Sequence, residues 1–308
     1  MNIYAPEGNL ISNIENRELT ASYKGLERAL EEQRIIEAPV YLCDHNFNLH
    51  VSLGGGIKGI IPREEVQYSK GAETKDIAIL TRVGKTVCFK VIGFEGGARG
   101  ERIAILSRRC AQRECTSQFI EALIPGDIIP AKITHLESFG AFVDIGCGII
   151  SLLSIDTISV SRISHPSARL AVGDSVYTVV KSIDEQGRIF VSERELLGSW
   201  EENAAIFNEG QTVKGVIRSV ESYGVFVELR PNLAGLAEYR DDVHPGQTCA
   251  VYIKSIIPEK MKIKLIIIDS FDAGYSPEIK YFYSGDNISE WEYSPTECNK
   301  RIFSKFCG

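Results

Sequence analysis

The feature that most constrains this chain is an internal repeat with a fixed spacing. The stretch SFGAFVDIG at residues 138–146 returns as SYGVFVELR at residues 222–230, with the same order of aromatic residue, glycine, small residue and aromatic residue. The two glycines that open the copies, Gly126 and Gly210, lie 84 residues apart, as do the aromatic stretches. A period of this size indicates an array of similar structural units.

Each copy is predicted to form five short strands. GDIIPAKITHLESFGAFVDIG supplies two strands, a third begins near the Gly-Ile-Ile turn at residues 148–150, and GDSVYTVVKSIDEQGRIFVSERE supplies two more. Residues 210–268 repeat this order, and neither copy contains a long helical pattern. Five short strands predict a small closed barrel, because closure removes the sheet edges that an open sheet would expose.

A fainter copy precedes these two. NFNLHVSLGGGIKGIIPREEV aligns with FGAFVDIGCGIISLL if residues are inserted at Gly54–Gly56. This alignment places Phe47 at the position of Phe139 and His50 at the position of Phe142, so the first copy lacks the aromatic pair. Helical stretches after the first and second copies are expected to join one barrel to the next.

The terminal segments follow other patterns. Leu19, Tyr23, Leu26 and Leu30 recur at helical spacing, which predicts one amphipathic helix that packs on the first barrel or on a partner. Near the C-terminus, IKYFYSGDNISEWEY predicts a hairpin that turns at residues 285–287, and Ser294 is expected to cap a helix that runs through Phe306.

The charge and cysteine content of the chain limit the classes of protein to which it could belong. A formal net charge of -7 argues against a wholly basic nucleic-acid binder, although residues 39–110 carry a net +4 and residues 210–268 a net +2. Such a protein can still hold single strands, because stacking of a base on an aromatic side chain contributes about 1–3 kcal/mol. No apolar run is long enough to span a membrane and no signal peptide is evident, so a cytoplasmic protein is expected. The eight scattered cysteines do not favour disulfides or zinc.

Strand alternation gives the repeated stretch a candidate role. Side chains on one face of a strand alternate with those on the other, so Ala141, Val143 and Ile145 are expected inside, with Phe142 and Asp144 facing water. A bulge at Gly140 would bring Phe139 to the same outer face as Phe142. Two exposed rings suggest a surface on which bases stack, whereas the alternative is that both rings pack in the core of a curved sheet.

The third copy repeats the arrangement, and cations accompany both. Tyr223 and Phe226 are expected outside, with Val225, Val227 and Leu229 inside. The predicted RNA-binding cations are Lys132 and His135 in the second copy, Arg218 in the third, and Arg188 and Lys262 on the last strand pairs. These residues should converge on the face of strands two and three, where barrels of this kind hold single strands.

These residues resemble a known family. GDIIPAKITHLESFGAFVDIG, the turn at 148–150 and VVKSIDEQGRIFVSERE are similar to the RNA-binding repeat of ribosomal protein S1, the largest protein of the bacterial small ribosomal subunit. The resemblance is strongest over residues 126–196, good over 210–268 and weak over 37–109. It implies barrels of the oligonucleotide-binding (OB) type that bind single-stranded RNA without base-specific readout.

The resemblance also implies roles for single residues. The family's stacking aromatics fall on Phe139, Phe142, Tyr223 and Phe226, and its acidic and basic pair before the last strand falls on Asp184 and Arg188. The chain departs from the family at other positions: Ser151 and Glu238 stand where a histidine is common, and Ile257 replaces the acidic residue in the third copy. The first copy resembles the leading repeats that contact the ribosome.

The expected fold class is mainly β, with three tandem five-stranded OB-type barrels joined by short helices, an N-terminal helix and a small C-terminal α+β extension. The predicted segments are an N-terminal helical extension at 1–36, a degenerate first repeat at 37–110, a linker helix at 111–125, the second repeat at 126–197, a linker at 198–209, the third repeat at 210–269, and a C-terminal hairpin and helix at 270–308.

The expected function is single-stranded mRNA binding in translation at the small ribosomal subunit, which the first repeat would contact. The alternative is a non-ribosomal regulator of mRNA turnover or transcription that uses the same barrels. An enzyme is not expected, because the chain contains no GxSxG, HExxH or P-loop spacing and its five histidines are scattered. Neither a cofactor nor a metal site is expected.

Overall fold

A computed structural model of the protein describes residues 4–69, 74–96 and 101–306. The chain forms two compact units. One comprises Met1–Leu123 with Asp144–Ile150, and the other comprises Ile124–Val143 with Ser151–Gly308. Three closed five-stranded barrels dominate these units, so the predicted mainly β fold with tandem OB-type barrels is confirmed.

The first barrel has the strand order β1-β2-β3-β5-β4. Antiparallel pairing of β1 with β4 closes the ring, and β3 pairs in parallel with β5. Its core is filled by fully buried side chains such as Leu49, Phe89 and Leu106. The strands are β1 (Ile36–Cys43), β2 (Leu49–Ser52), β3 (Lys58–Ile61), β4 (Thr86–Gly96) and β5 (Arg102–Ser107).

Two short helices precede this barrel where the sequence predicted a single one. They are α1 (Ile14–Thr20) and α2 (Tyr23–Glu31). The chain breaks between them because Ser22 takes an extended conformation and its side chain accepts a hydrogen bond from the Gly25 N–H, which starts a new helix. Gly25 lies against the backbone of α1, where an added Cβ would stand 2.6 Å from the Leu19 carbonyl oxygen. Leu19 and Leu26 then pack into the core of the first barrel.

The second and third barrels share one topology. In both, strand three pairs in parallel with strand five. The first strands, β6 and β11, begin and end at positions separated by the 84-residue period of the sequence. The strands of the second barrel are β6 (Ile128–Glu137), β7 (Gly140–Asp144), β8 (Ile150–Ser154), β9 (Ser175–Ile183) and β10 (Ile189–Ser192), and those of the third are β11 (Thr212–Glu221), β12 (Gly224–Arg230), β13 (Leu233–Ala237), β14 (Thr248–Ile257) and β15 (Lys262–Phe271).

Short helices fill the connections, as the sequence predicted. One of them begins with a capping box, in which Ser199 and Glu202 satisfy each other's backbone N–H groups. The helices are α3 (Asp76–Leu80), α4 (Arg108–Gln118), α5 (Ile155–Ile158) and α6 (Trp200–Ala204), and single 3₁₀ turns lie at Gly54–Gly56, Arg63–Glu65, Ile120–Ala122, Pro166–Ala168 and Pro258–Lys260.

The C-terminal extension differs from its prediction. The only regular elements that the structure describes after residue 271 are β16 (Glu290–Glu292) and β17 (Phe303–Lys305), which pair with each other, so both the hairpin at residues 285–287 and the helix from Ser294 were wrong. The Ser294 hydroxyl accepts a hydrogen bond from the N–H of Ile302, eight residues further on. Ser294 therefore closes a loop between two strands and caps no helix.

Within the described ranges, no helix combines the length and the apolar character that a membrane crossing requires.

Candidate nucleic-acid interface

The alternation predicted for the repeated stretch is present in both barrels. Ala141 and Val143 are fully buried, as are Val225 and Val227 in the third barrel. The side chains on the opposite face are more exposed: Phe139 is 53% exposed and Tyr223 67%, whereas Phe142 and Phe226 are half-buried. The four rings thus lie on the outer surfaces of their barrels and outside the cores. Their role in binding stays a prediction.

The two ring pairs have the same geometry. The ring centroids of Phe139 and Phe142 are 6.0 Å apart with an interplanar angle of 89°, and those of Tyr223 and Phe226 are 6.1 Å apart at 88°. In each pair one ring stands edge-on to the other, so the face of the half-buried ring and the exposed ring together form a corner. A flat base can stack against such a corner.

A glycine makes each corner possible. Gly140 and Gly224 begin the second strands of their barrels, and an added Cβ at either position would lie 2.5 Å from a carbonyl oxygen of the third strand. Any other residue would push the third strand away. The close approach keeps the preceding aromatic residue, Phe139 or Tyr223, at the strand end beside its partner ring.

His135 extends the aromatic surface of the second barrel. Its ring stacks on Phe142 with centroids 6.3 Å apart and an interplanar angle of 21°. Its Nε2 also lies 2.8 Å from the Glu137 carboxylate, which holds the exposed ring in place. At the equivalent position of the third barrel, Ser219 pairs with Phe226 and supplies no ring.

Strand pairing reveals surface residues that the sequence analysis missed. In the third barrel Phe226 pairs with Leu236, and Leu236 pairs in turn with Lys264. In the second barrel, Leu152 pairs with Phe190, so Phe190 takes the place of Lys264. The parallel pairing of strands three and five, once recognised, was the signal that could have identified both residues.

In both barrels a lysine lies next to these paired side chains of strands two, three and five. The pairing of β9 with β10 shifts between Val180 and Ser182, and that of β14 with β15 shifts between Ile253 and Ser255. The extra residues in these bulges are Lys181 and Lys254, and both are exposed. Neither was among the predicted cations, because a bulge cannot be located from alternation alone.

The remaining predicted cations have different settings. Lys132 lies on the outward face of β6, where it pairs with Ser175, and Lys262 is exposed at the start of β15. Asp184 and Arg188 form the turn between β9 and β10: one Asp184 oxygen accepts the N–H groups of Gln186 and Arg188, and the other accepts the Arg188 Nε at 2.7 Å. The hydrogen bond from the Arg188 N–H is the main cause of a lowered pKa at Asp184. Asp184 thus shapes the turn that presents the exposed Arg188 side chain.

Arg218, which was predicted to bind RNA, is held by a carboxylate of its own barrel. Its Nε donates to Glu228 Oε2 at 2.9 Å and its Nη2 donates to Oε1 at 3.2 Å. Glu228 is fully buried on the neighbouring strand β12. Because this carboxylate engages the guanidinium at both oxygens, we remove Arg218 from the set of phosphate-binding candidates.

The expectation that Asp144 faces water was also wrong. Its carboxylate is buried and accepts the backbone N–H groups of Glu7, Gly146 and Gly148 at 2.7, 2.8 and 3.0 Å. Burial raises the pKa of Asp144 to about 7, and the nearby Glu7 carboxylate adds to the rise. Asp144 therefore organises backbone at the end of β7 and lies outside the exposed surface.

The first barrel carries a different set of rings. His50 stands at the position of Phe142, and Tyr41, which is 51% exposed, lies edge-on to it with centroids 6.1 Å apart. The Arg63 guanidinium lies 4.8 Å from the centre of the Phe47 ring. Burial alone would raise the pKa of Asp44, but hydrogen bonds from Asn48 and His50 lower it to about 2. In the first barrel His50 thus has the Asp44 carboxylate beside it, as His135 has Glu137 in the second barrel.

Disulfides and metal sites depend on the cysteines, histidines and carboxylates among the described residues. The seven cysteines that the structure describes are free thiols. Within the described part of the chain, no group of three His, Cys, Asp or Glu side chains could hold a metal ion.

Comparisons with known proteins bear on this surface. The family described as S1 RNA binding domain matches residues 123–194, which include the second barrel. The small ribosomal subunit protein bS1 of Staphylococcus saprophyticus is 28% identical over 272 residues, which is 81% of this chain and 65% of that protein. The bS1 protein of Staphylococcus aureus is 28% identical over 296 residues, or 91% of this chain and 70% of its own length.

The chain therefore spans about two thirds of the length of these relatives. Among solved structures, GSP13 from Bacillus subtilis is 26% identical over 28% of this chain and 74% of its own, with a TM-score of 0.24, a value too low to support an argument about the fold. The sequence matches are extensive by contrast. Residues 123–194 match the S1 RNA binding domain family, and the chain is homologous to bacterial ribosomal protein bS1 over most of its length.

Proposed function

We propose that the protein binds single-stranded RNA of the mRNA class and acts in translation at the small ribosomal subunit. The observation that carries this proposal is the pair of matched aromatic corners, Phe139 with Phe142 and Tyr223 with Phe226, on equivalent strands of two barrels. Homology to proteins named as small ribosomal subunit protein bS1 supports the translational role. A cytoplasmic location follows from that role.

Binding would combine stacking with a few charge contacts. One base stacks against each aromatic corner, and His135 extends the surface for a neighbouring base in the second barrel. The phosphates meet exposed cations at the rim, among them Lys181 and Arg188 in the second barrel and Lys254, Lys262 and Lys264 in the third. Since none of these contacts reads a base edge, the protein should accept many sequences.

The rings explain why unpaired strands are the substrate. A base inside a duplex stacks on its neighbours and has no free face to offer an aromatic side chain. As far as the structure describes them, the three barrels present no helix that could enter a major groove, and a helix is the element that usually reads duplex DNA there. The affinity for single strands should therefore exceed that for duplex of the same length.

The first barrel is proposed to contact the small subunit, because His50 stands there in place of Phe142 and the barrel lacks the aromatic corner of the other two. A free RNA-binding regulator of mRNA turnover or transcription remains the alternative, since it would use the same corners.

Two measurements test the proposal. In a titration at about 0.1 M salt, a single-stranded RNA of mixed sequence should bind, and a duplex DNA of equal length should bind far more weakly; equal affinity would contradict the proposal. In a lysate fractionated on a sucrose gradient, the protein should sediment with small subunits. If it stayed at the top of the gradient while purified protein bound RNA, the regulator would be the better description.

A further inference from the structure

A buried cluster of charges joins the second and third barrels within the second compact unit. Arg169 lies in the segment between β8 and β9, and its Nη2 donates to Glu228 Oε2 of β12 at 2.8 Å. Arg218 donates to the same carboxylate, at both of its oxygens. The side chains of Arg169 and Glu228 are almost completely removed from solvent. Glu228 follows the ring of Phe226 by two residues, so the second barrel holds the strand that carries this ring.

A second anchor lies at the next turn of the third barrel. Asn232, between β12 and β13, is fully buried. Its side-chain oxygen accepts the Val160 N–H at 2.9 Å, and its amide nitrogen donates to the carbonyl oxygens of Arg194 and Gly198 at 2.8 and 2.9 Å. A buried amide with three such bonds fixes its surroundings in one arrangement. The strand β12, which carries Phe226, and the turn that follows it thus both contact the second barrel or the segment after it.

The C-terminal extension supplies a third set of contacts. Its Trp291 and Tyr293 belong to one continuous apolar cluster with Val179 of the second barrel and Val227 of the third. The Tyr281 hydroxyl donates to buried Glu193 at 2.9 Å. The Tyr293 hydroxyl donates to the carbonyl of Asn232. The extension, for which the sequence suggested no role, therefore packs on both barrels and on the turn that joins β12 to β13.

We propose that the second barrel, the third barrel and the extension act as one RNA-binding module, in which Arg169 and Asn232 are positioning residues that fix the two aromatic corners at a set spacing. The ligand is a single RNA strand long enough to lie on both corners. This inference rests on the proposed function and deepens it.

A fixed spacing has a measurable consequence for affinity. When one strand binds the first corner, the second corner meets the rest of that strand at a high effective concentration, and the gain is greatest if the geometry needs no adjustment. Two barrels on a flexible linker would gain less and would tolerate many spacings. The module should therefore bind long strands much more tightly than short ones and should respond sharply to spacing.

The first experiment compares two strand lengths on the full chain. Oligouridines of about 6 and about 24 nucleotides cover one barrel or both, since an OB fold occupies roughly 4–16 nucleotides. In the unmodified protein, the long strand should bind at least about tenfold more tightly than two independent short sites predict. The double variant Arg169→Met, Asn232→Ala should lose that excess and keep its affinity for the short strand.

Arg162→Met is the matched control, because this arginine lies in the same segment and is exposed. It should retain the long-strand excess. An unchanged excess in the double variant would overturn the inference. Absence of binding to both strands by the unmodified protein would instead refute the proposed function.

The second experiment needs no variant and therefore does not depend on whether the double variant folds. Two uridine segments of about 6 nucleotides are joined by abasic spacers of increasing length. A fixed module should show one narrow affinity optimum in spacer length. A flat profile would mean that the two corners move independently, and the inference would fail.

Discussion

The second and third barrels place a carboxylate at the same point of the same strand and satisfy it in different ways. Asp144 and Glu228 each follow the half-buried ring by two residues, and both are buried. Asp144 accepts three backbone N–H groups, whereas Glu228 is held between the guanidinium groups of Arg169 and Arg218. One position in a repeat can thus keep a charged residue type while its partners change completely.

The different partners of Asp144 and Glu228 show how each of the two barrels supports the strand that carries its aromatic corner. Burial, together with the nearby Glu7 carboxylate, raises the pKa of Asp144 although backbone N–H groups donate to it, so this carboxylate remains costly to ionise. A carboxylate between two cations carries the charge that those cations require, because either arginine alone would be a buried and uncompensated charge. Removing the two carboxylates should therefore have unequal effects.

The largest expected effect is on folding stability. Glu228→Gln should cost about 3–5 kcal/mol, because it leaves two buried guanidinium groups without a counter-charge. Asp144→Asn should cost about 1–3 kcal/mol, because the amide has one hydrogen-bond acceptor fewer for the backbone N–H groups. It leaves no buried charge without a partner. Chemical denaturation of the full chain measures both values.

Glu221→Gln, at an exposed position on β11, is the control and should change stability by no more than about 0.5 kcal/mol. If Asp144→Asn lowered the free energy of unfolding more than Glu228→Gln, the proposed difference between a carboxylate held by backbone N–H groups and one held by guanidinium groups would be wrong.

The next effect concerns RNA affinity. Phe142→Ala should weaken the binding of single-stranded RNA by about 1–3 kcal/mol, because a stacking surface is lost. Phe226→Ala should have a smaller effect, because Phe142 also supports the stacked ring of His135 and Phe226 has Ser219 in that place. RNA titrations of the two variants under identical salt conditions compare the barrels directly.

Val143→Ala separates stacking from packing. Val143 is fully buried beside Phe142, so its truncation should lower stability by about 2 kcal/mol and leave the affinity of the folded protein intact. If Phe142→Ala lowered the melting temperature and left RNA affinity unchanged, the Phe142 ring would be a packing residue.

A smaller effect separates the two carboxylates by pH. The folded pKa of Asp144, about 7, lies above its value of 3.8 in the unfolded chain, so the folded state binds the proton more tightly. Stability linked to this group is greatest at low pH and is lost as pH rises through 7, which amounts to roughly 1 kcal/mol between pH 6 and pH 8. Glu37 and Glu193, whose pKa values burial also raises to about 7, add changes of the same sign.

Denaturation curves at pH 6 and pH 8 give this difference. Asp144→Asn should reduce it, and the Glu228→Gln protein should keep it if that variant folds. An Asp144→Asn protein with the full pH dependence would assign the titration to the other carboxyls.

The smallest effect is electrostatic. Lys264 of the third barrel stands where the second has Phe190. Lys264→Ala should reduce the slope of log affinity against log salt by about 0.7, the value for one phosphate contact on a single strand. Phe190→Ala should weaken binding without changing the slope. If the salt slope changed in Phe190→Ala and not in Lys264→Ala, the assignment of a charge contact to Lys264 and a stacking contact to Phe190 would be wrong.

Much of the fold could be predicted from the sequence because its determinants are local. The 84-residue period gave matching first strands, and alternation correctly separated Val143 from Phe142. These signals need only neighbouring residues and a repeat to compare with. The ring pairs followed from them, because Gly140 and Gly224 allow the strands to approach.

The errors came from partners far away in sequence. Alternation places Asp144 on the outer face, but only the fold brings Glu7 from 137 residues away to cover it. Arg218 was misjudged although Glu228 is ten residues away, because the sequence analysis did not consider the cross-strand pairs between β11 and β12. Phe190 and Lys264 required the parallel pairing of strands three and five, and Ser294 required knowledge that its segment ends in a strand.

The contacts of residues 126–128 have a consequence for the order of events during synthesis. The Ile288 N–H donates to the Gly126 carbonyl, the Ile128 N–H donates to the Asp286 carbonyl, and the Asn287 side chain donates to Asp127 across a separation of 160 residues. Contacts so distant in sequence form late, because a long loop must close before they stabilise anything. The start of β6 must wait, incompletely paired, until residues 286–288 have left the ribosome, so the second barrel should be the part of a nascent chain most exposed to chaperones and proteases.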